Sequence, residues 1–372
     1  MKVCMVSLQG LPYYARVDTS PRGGAEAQAA FLAESLATRG HSVSVVVSDY
    51  EPAMPLLPAA GRVTLINAYR RLDGVPGLRF IYPRWVGVHR ALRKADADVY
   101  FQMCEGAVTG QTAYFCGRSE RGFVFATASD SDVDPRRLRL NRRDRVVYEY
   151  GIRRADRRIT QHRGQAEALR RNYGLESTAI AMATRIPAEV LEPDPRPIVL
   201  WLGTLRSIKR PERYLALASR FPEARFVMVG GRVPTDGAVY DRAQAEAATL
   251  PNVDFRGPVA DVEPLLARAW VLLNTSDTEG FPTTFLEAWA HGVPTVSIFD
   301  PGGLVREQGI GALAADEAGL PDALGSLLGS RERRDAVGRK AREHVLREHS
   351  PDVVVERFER ELLAAARAHG RG

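Results

Sequence analysis

The sequence repeats one pattern of strands and helices in its two halves, and this repetition limits the fold more than any other feature. In the first half, short apolar runs alternate with helical segments, which predicts a helix at 25–40 and strands at 3–8, 42–47, 98–103, 122–127 and 157–160. Such alternation is typical of βαβ units around a parallel sheet. Residues 186–197 then contain four prolines, which predict an extended linker because proline removes a backbone donor.

The alternation begins again directly after the linker. It predicts helices near 211–220, 238–249, 261–269 and 284–291, and strands at 197–205, 225–231, 253–257, 270–276 and 294–298. Open parallel sheets bind ligands at the carboxyl ends of their strands, so two such sheets joined by a hinge imply a ligand cleft. We therefore predict an α/β chain with two Rossmann-like domains, residues 1–190 and 191–349, that face a central cleft.

The composition narrows the class of protein further. No run of about 18 apolar residues occurs, so no membrane-spanning helix is predicted, and the opening segment resembles a strand rather than a leader, so we expect a cytoplasmic location. Only four of the 51 basic residues are lysines, which gives weight to a lysine at a motif position. The cysteines and the histidines at 41, 162 and 291 lack metal-ligand spacing, so no metal site is expected.

The strongest local signal is the segment from Glu279 to Glu287, which reads EGFPTTFLE. Its Gly-Phe-Pro step predicts a tight turn between a buried strand and a helix that begins near Thr284. The first turn of a helix offers unpaired N–H groups and a positive dipole end, which suit a diphosphate. The two carboxylates can accept hydrogen bonds from the hydroxyls of a sugar and a ribose. The structural alternative is an ordinary helix start with acidic residues placed for its dipole.

Two further glycine-containing turns precede predicted helices. Gly203 follows the first strand of the second half, and Arg206 and Lys209 stand close behind it, where they can neutralise a phosphate. A solvated basic turn is the alternative. Gly23 and Gly24 precede the first long helix and form a weaker candidate for an anion or sugar loop in the acceptor half.

With these motifs in this order, the chain resembles the GT-B-fold retaining glycosyltransferases of the bacterial mannosyl-, glucosyl- and exopolysaccharide-transferase type, also called glycosyltransferase group 1. The resemblance covers essentially the whole length, and its most specific part is the pair of glutamates eight positions apart, Glu279 and Glu287. It implies that the C-terminal domain binds a nucleotide-diphosphate sugar and the N-terminal domain binds the acceptor. It also implies that a last helix, within 350–372, packs back on the N-terminal domain.

The resemblance assigns roles to individual residues. Glu279 would contact the donor sugar, Glu287 would hold the ribose, and Lys209 would neutralise the diphosphate, while the loop after Gly257 would contact the base. Glu279, Lys209 and Asp130 are the expected catalytic residues. The expected donor-binding residues are Gly203, Thr204, Arg206, Lys209, Gly257, Glu279, Gly280, Phe281, Pro282, Thr283, Thr284 and Glu287.

The sequence departs from this family pattern at two places. Thr204 stands where relatives usually carry an arginine, and Arg206 is the candidate replacement. Many relatives also carry a histidine just after a strand of the N-terminal domain, where this chain has Ser129, Asp130 and Asp132. Asp130 either takes over that polar contact or serves as an Asx-turn residue, and both interpretations stay open.

The arginine-rich stretch 136–158 also permits two interpretations. Its arginines either belong to solvated helix faces of an arginine-rich chain or form a surface for an acidic acceptor, a lipid-diphosphate or anionic lipid at the inner face of the membrane. Nucleic-acid binding is not expected, because the chain lacks interleaved aromatic residues and known motifs. The sequence leaves the oligomeric state undetermined.

These inferences predict a retaining, metal-independent hexosyltransferase of polysaccharide or glycoconjugate biosynthesis. It would move a hexosyl unit from a UDP- or GDP-sugar to a hydroxyl of a glycan, a lipid-linked or a small-molecule acceptor. The nucleotide sugar is a substrate, and no cofactor is expected. Two alternatives remain: a nucleotide-sugar 2-epimerase of the same fold, and a catalytically silent sugar-nucleotide-binding partner protein, which Thr204 and the missing histidine would fit.

Overall fold

A computed structural model of the chain describes residues 1–15, 24–76, 78–279 and 281–371. The chain divides into two compact units, of which unit 1 contains Met1–Ala183 and Pro351–Gly372 and unit 2 contains Thr184–Ser350. Each unit holds one parallel sheet with helices around it, so the predicted α/β class with two parallel sheets is confirmed. Among the described residues, no helix is long and apolar enough to span a membrane.

Unit 1 is built on a seven-stranded parallel sheet. Its strands are β1 (Lys2–Val6), β2 (Ser42–Val47), β3 (Thr64–Asn67), β4 (Val99–Met103), β5 (Gly122–Ala126), β6 (Arg157–Thr160) and β7 (Thr178–Ala179). They lie in the order β3-β2-β1-β4-β5-β6-β7. The helices between them are α1 (Gly24–Thr38), α2 (Val86–Ala95), α3 (Ala107–Ser119), α4 (Arg142–Arg154) and α5 (Arg163–Tyr173).

Unit 2 is built on a six-stranded parallel sheet in the order β10-β9-β8-β11-β12-β13. Its strands are β8 (Ile198–Leu202), β9 (Arg225–Val229), β10 (Val253–Gly257), β11 (Val271–Asn274), β12 (Thr295–Ser297) and β13 (Gly311–Leu313). Its helices are α6 (Pro211–Ala218), α7 (Gly237–Ala247), α8 (Glu263–Leu266), α9 (Thr283–Ala290), α10 (Leu304–Gln308), α11 (Leu320–Leu328) and α12 (Arg331–Glu348).

The C-terminal helix α13 (Pro351–Arg367) completes the hydrophobic core of unit 1. Its apolar stripe buries Val354, Phe358 and Leu362, as expected for side chains three to four positions apart on one helix face. The ring of Phe358 meets that of Phe101 on β4 edge to face, with 5.8 Å between their centroids. Unit 1 is therefore assembled from both ends of the chain.

Several elements differ from the sequence prediction. The helix predicted at 261–269 is only the four residues of α8. Strands β3, β7 and β13 are absent from the sequence prediction; they have four, two and three residues and lie at the edges of the two sheets. The sequence pattern does not predict helix α3. This helix buries the polar residues Thr109, Gln111 and Thr112 together with its apolar residues, so it has no single apolar stripe.

Two glycines set the close crossing of α3 and α4. A Cβ atom placed on Gly151 would lie 2.6 Å from the backbone nitrogen of Gly110, and a Cβ on Gly110 would collide with the carbonyl of Val147. Both collisions involve backbone atoms, which cannot turn aside as a flexible side chain can. Only glycine at these positions permits this separation of the two helices.

We expect Gly151→Ala to lower the free energy of unfolding by about 1–3 kcal/mol, the usual cost of overpacking a filled interior. Gly117→Ala on α3 is the matched control, since a Cβ there meets no atom within 4 Å. That control should be neutral or stabilise by about 0.5–1 kcal/mol through helix propensity. Urea denaturation of the two variants measures both effects, and equal behaviour of the variants would contradict the close crossing.

Candidate functional site

The sheet of unit 2 has a topological switch point between β8 and β11. From β8 the chain proceeds outward to β9 and β10, and it then returns to place β11 on the other side of β8. The loops that follow β8 and β11 flank this switch point, and open α/β sheets bind ligands there, in the crevice outside the carboxyl ends of their strands. Both sequence motifs of the second half lie on these two loops.

Hydrogen bonds hold the two loops together. The hydroxyl of Thr275 donates to the carbonyl of Lys209 at 2.8 Å, and the N–H of Asp277 donates to the carbonyl of Ile208 at 3.0 Å. From the core below, the indole of Trp201 donates to the same Thr275 hydroxyl at 3.0 Å. The side chains on the two loops are thereby held in a fixed mutual position.

Arg213, on α6, reinforces this arrangement from below the loops. Its guanidinium donates to the carbonyl of Thr275 at 3.1 Å and to the Asp277 carboxylate at 2.6 Å, and it also bonds Glu317 at 2.7 Å. Only 11% of the Arg213 side chain is exposed, although its partners Asp277 and Glu317 are about half exposed. Sequence reasoning missed this group, although Arg213 stands one helical turn after Lys209.

Lys209 and Glu279 form a direct ion pair in the crevice. The same carboxylate oxygen, Oε1, also accepts from the hydroxyl of Ser276 at 2.7 Å and from the amide of Asn274 at 3.3 Å. No described residue bonds the second oxygen, Oε2, of Glu279. The pair is mostly buried, with exposed side-chain fractions of 23% for the lysine and 13% for the glutamate. The site thus presents one oriented carboxylate oxygen beside a positive charge.

Helix α9 begins directly after this loop, at Thr283, one residue earlier than predicted. Pro282 precedes it, and the N–H of Phe285 is the first to bond back, to the Pro282 carbonyl at 3.0 Å. The amides of Thr283 and Thr284 have no backbone acceptor among the described residues. These amides and the helix dipole make the start of α9 suitable for an anion.

Two other residues of the EGFPTTFLE motif, Gly280 and Phe281, have no assigned contact with a ligand. Gly280 lies outside the described residues. The ring of Phe281 packs against those of Trp289 and His349, with centroid distances of 6.5 and 5.7 Å. Phe281 therefore anchors the loop by packing, a role that its position in the motif does not reveal.

Glu287 lies one turn into α9 and is mostly buried, yet no described residue hydrogen-bonds its carboxylate. Burial raises the pKa of this group to about 7. A carboxylate that is taken from water without a compensating partner carries a desolvation cost. Hydroxyl groups of a ligand are the natural partners for such an acceptor, because they would restore the lost hydrogen bonds.

The predicted glycines of unit 2 have different structural roles. Gly257 adopts a left-handed conformation with φ of +64°, which favours glycine. Gly203 is free of such a demand, since a Cβ there would lie 3.5 Å from the Trp201 ring, an ordinary contact. The demanding position is Gly230, where a Cβ would collide with the carbonyl of Gly203. This glycine was not singled out from the sequence, because its partner loop is 27 residues away in the chain.

The two residues offered as a diphosphate clamp lie at the edge of the crevice. Thr204 is exposed and makes no hydrogen bond with a described residue. Arg206 precedes a short 3₁₀ turn, is half exposed and lies 4.0 Å from Asp236, a loose pair in solvent. Lys209 is thus the basic side chain most firmly placed in the crevice.

The acidic residues that follow β5 in unit 1 have opposite environments. Asp130 accepts from Gln165 at 3.1 Å and lies 3.3 Å from Nε2 of His162, and the hydrogen bond with His162 holds the pKa of Asp130 below its usual range. Asp132 is buried, accepts from the N–H groups of Ala128 and Ser129, and has a pKa raised by burial to about 6. Asp132 caps the turn, whereas Asp130 bonds side chains.

His162 lies at the start of α5, where its Nδ1 accepts from the N–H of Gln165 while its Nε2 faces Asp130. It follows β6, the strand beside β5, and therefore meets Asp130 although 32 positions separate them in the sequence. The strand order, which sequence reasoning did not supply, is what brings them together. Within the described residues, no cluster of three or more potential metal-ligating side chains is found.

The remaining predicted loop is described only in part. Gly23 lies outside the described residues, and Gly24 is the first residue of α1. A cavity of about 290 Å³ lies nearby at the carboxyl ends of β1 and β4, the switch point of the unit 1 sheet. Its lining combines the acidic Glu26 and Glu105 with the basic Arg84 and Arg143. One oxygen of Glu105, Oε2, is buried without a hydrogen bond from a described residue.

Both halves of the chain match known domain families. Residues 196–330 match the family described as glycosyl transferases group 1, and residues 23–184 match the glycosyl transferase 4-like domain. The first match lies within unit 2 and the second almost entirely within unit 1. No curated protein sequence matches the chain.

Solved structures show the same architecture over the whole chain. Sucrose-phosphate synthase from Thermosynechococcus elongatus is 20% identical, with a TM-score of 0.75 and coverage of 98% of this chain and 99% of that chain. HepE from Anabaena, solved in complex with UDP-glucose, is 14% identical, with a TM-score of 0.72 and coverage of 98% and 100%. A glycosyltransferase from Rickettsia africae is 12% identical, with a TM-score of 0.74 and coverage of 98% of each chain.

This chain has the two domains of a GT-B glycosyltransferase. The predicted GT-B fold is confirmed by these structural neighbours and by the two family matches. In the glycosyltransferase, the crevice with Lys209, Glu279 and Glu287 lies within the group 1 match, and Asp130 and His162 lie within the other match. The sequence similarity to the solved structures is low, so they define the fold and leave the individual site residues to be tested.

The raised pKa of Glu287 predicts a pH-dependent cost to stability in the free protein. The folded state binds a proton up to about pH 7, whereas an unfolded glutamate releases it near 4.3, so stability falls as the pH rises through this window. Glu287→Gln removes this dependence. We expect the variant to gain about 1–3 kcal/mol relative to the wild type between pH 5 and pH 8.

Urea denaturation at several pH values measures this difference. Tryptophan fluorescence is a suitable signal, because Trp201, Trp270 and Trp289, three of the four tryptophans, lie in unit 2. Parallel stability curves for the wild type and the variant from pH 5 to pH 8 would show that Glu287 is solvated and ionised in the folded protein.

Proposed function

We propose that this chain is a retaining hexosyltransferase that uses a nucleotide-diphosphate sugar as donor and a hydroxyl compound as acceptor. The observation that carries the proposal is the set of groups at the unit 2 switch point: an oriented lysine, a glutamate, the start of a helix and a second, mostly buried carboxylate. No described residue bonds Oε2 of the first carboxylate, Glu279, or either oxygen of the second, Glu287. Each of these groups matches one part of a nucleotide-diphosphate sugar.

The diphosphate is assigned to Lys209 and the first amides of α9. An ammonium carries three N–H donors, so Lys209 can keep its bond to Glu279 and still donate to phosphate oxygens. The amides of Thr283 and Thr284, which bond no carbonyl in the described part of the chain, add neutral donors and the positive end of the helix dipole. These groups stabilise the charge that develops on the departing diphosphate, which is the main electrostatic contribution to catalysis.

The hydroxyl groups of the donor are assigned to the two glutamates. Glu279 presents Oε2, which no described residue bonds, toward a sugar hydroxyl, while Ser276 and Asn274 fix the other oxygen. Glu287 accepts the ribose hydroxyls, which relieves the cost of its burial. The loop after Gly257 is assigned to the base. HepE, a structural neighbour, was solved with UDP and with UDP-glucose, which supports a UDP-linked sugar as the first donor to assay.

The acceptor is assigned to unit 1, whose 290 Å³ cavity and Asp130–His162 pair are the polar features at the carboxyl edge of its sheet. Positioning of the acceptor hydroxyl against the sugar supplies most of the remaining rate enhancement, since the reaction needs no covalent group from the protein. Asp130 stays ionised beside His162 and is suited to orient a hydroxyl or a cationic centre.

We expect Glu287→Ala to weaken the binding of a bare nucleoside diphosphate by about 1.5–3 kcal/mol, the range for hydrogen bonds to a charged group. Glu279→Ala should leave that binding unchanged or tighter, since it releases Lys209, and should depress turnover of the nucleotide sugar. Isothermal titration and a donor-turnover assay measure the two effects. The exposed Glu246, on α7, provides the control Glu246→Ala.

Equal loss of nucleotide binding in the Glu279 and Glu287 variants, with folding intact, would reverse the roles assigned to the two residues. Binding of the nucleotide sugar without turnover over a panel of acceptors would favour the silent partner protein. The anomeric configuration of the product, read by proton NMR, tests retention directly.

We also expect activity to persist in excess EDTA. The Asp130-Ser-Asp132 cluster resembles a metal-binding motif, but the Asp132 carboxylate is buried on the N–H groups of Ala128 and Ser129. Lys209 and the α9 amides supply positive potential where a cation would otherwise stand. Assays with and without EDTA decide the point. Activity that is lost and then restored by magnesium or manganese, but not in Asp130→Asn, would assign the aspartates as metal ligands.

A further inference from the structure

Unit 1 carries an exposed apolar surface that neither the fold nor the proposed chemistry uses. Eight of the thirteen exposed large hydrophobic side chains among the described residues lie on three adjacent elements: the 72–82 segment, α3 and α4. They are Leu72, Val75, Leu78, Ile81, Tyr82, Tyr114, Val146 and Tyr150. A soluble surface rarely concentrates large apolar groups in this way without a partner.

Hydrogen bonds hold the backbone of the described residues of the 72–82 segment (72–76 and 78–82), and the large apolar side chains of these residues face outward. The guanidinium of Arg79 donates to the carbonyls of Leu72 and Gly74, at 3.1 Å each, and the N–H of Ile81 donates to the carbonyl of Leu78 at 3.0 Å. Despite these bonds, Leu72 is 84% exposed, and Leu78 and Ile81 are each 61% exposed. These apolar side chains are therefore exposed on a hydrogen-bonded backbone.

Ring contacts join the three elements into one surface. Phe80 and Trp85 lie 5.7 Å apart between centroids, and Trp85 lies 6.0 Å from Tyr114 on α3. The guanidinium of Arg143, on α4, stacks on Phe80 at 3.7 Å. From Arg143, helical spacing places Val146, Tyr150 and Arg154 along the same stripe of α4.

The chain segments that contain most of this surface are strongly basic. Residues 70–94 and 134–154 carry 15 of the 51 basic residues but only 4 of the 45 acidic ones, a local charge of +11, whereas the rest of the chain sums to −5. The described residues provide no ion-pair partner for Arg84, Arg142 or Arg154. These cations are available to an external anion.

We propose that this surface docks unit 1 on a bilayer that contains anionic lipids. Leucine, isoleucine and tyrosine side chains can enter the boundary between headgroups and acyl chains, while the surrounding arginines contact the anionic headgroups. A second copy of the chain fits less well, since two such surfaces would bring like charges together. Docking is independent of glycosyl transfer. Because Arg84 and Phe80 also line the 290 Å³ cavity, a lipid-linked acceptor follows from docking if the proposed function is correct.

The test is co-flotation of the full chain with vesicles of phosphatidylcholine, alone or with about 30 mol% phosphatidylglycerol, an anionic content that favours polybasic surfaces. We expect binding to the anionic vesicles that weakens as salt is added. Leu78→Glu/Ile81→Glu should reduce it at least tenfold, and Arg142→Glu/Arg154→Glu should reduce it about fivefold or more per arginine. The control Leu191→Glu/Leu346→Glu places two carboxylates at exposed apolar positions of unit 2 and should bind as the wild type does.

Absence of binding by the wild type, or equal binding by all variants, would overturn the proposal. A concentration-dependent dimer in light scattering that Leu78→Glu/Ile81→Glu abolishes would assign the surface to a second copy instead. Donor turnover with a soluble acceptor separates this result from the proposed function. Turnover should survive in Leu78→Glu/Ile81→Glu. A wild type that turns over donor but does not bind vesicles would therefore contradict docking and leave the proposed transferase intact. A wild type that binds vesicles but lacks turnover would contradict the transferase and leave docking intact.

Discussion

The hydrogen bonds between the loops after β8 and β11 determine where the charged groups of the unit 2 crevice lie. Thr275 donates to the carbonyl of Lys209, and Asp277 donates to the carbonyl of Ile208, so the lysine and Glu279 meet although 70 positions separate them. On two unconnected loops, the same charges would be a solvated pair of little energetic value. Held together and mostly buried, they become an oriented site, and the start of α9 is positioned by the same loop.

Three carboxylates illustrate how burial and partners set the charge state. Asp130 has its pKa lowered by His162, whereas Asp132, two residues later, has its pKa raised to about 6 by burial. Glu287 is raised further, to about 7, because no described residue donates to it. Desolvation disfavours the charged form, and hydrogen bonds to the charged form oppose that effect.

Unit 1 contains both buried and exposed groups of large apolar side chains. The apolar stripe of α13 is buried against the sheet, whereas the leucines and isoleucine of the 72–82 segment face outward on a hydrogen-bonded backbone. Both sets are equally apolar in sequence. The difference arises because α13 has a sheet face to cover, while the 72–82 segment, α3 and α4 form an outer layer with no further element packed on them among the described residues.

The sequence by itself determined the two parallel sheets, most strand positions and the GT-B resemblance, because βα alternation and the EGFPTTFLE segment are local patterns. It also identified Lys209, Glu279 and Glu287 as a candidate set, although their roles remain a prediction. Only the tertiary structure decided that Lys209 bonds Glu279, that His162 meets Asp130 and that Gly230 rather than Gly203 must be small. These contacts depend on strand order and on backbone approach between segments distant in the chain, and no local pattern encodes either of them.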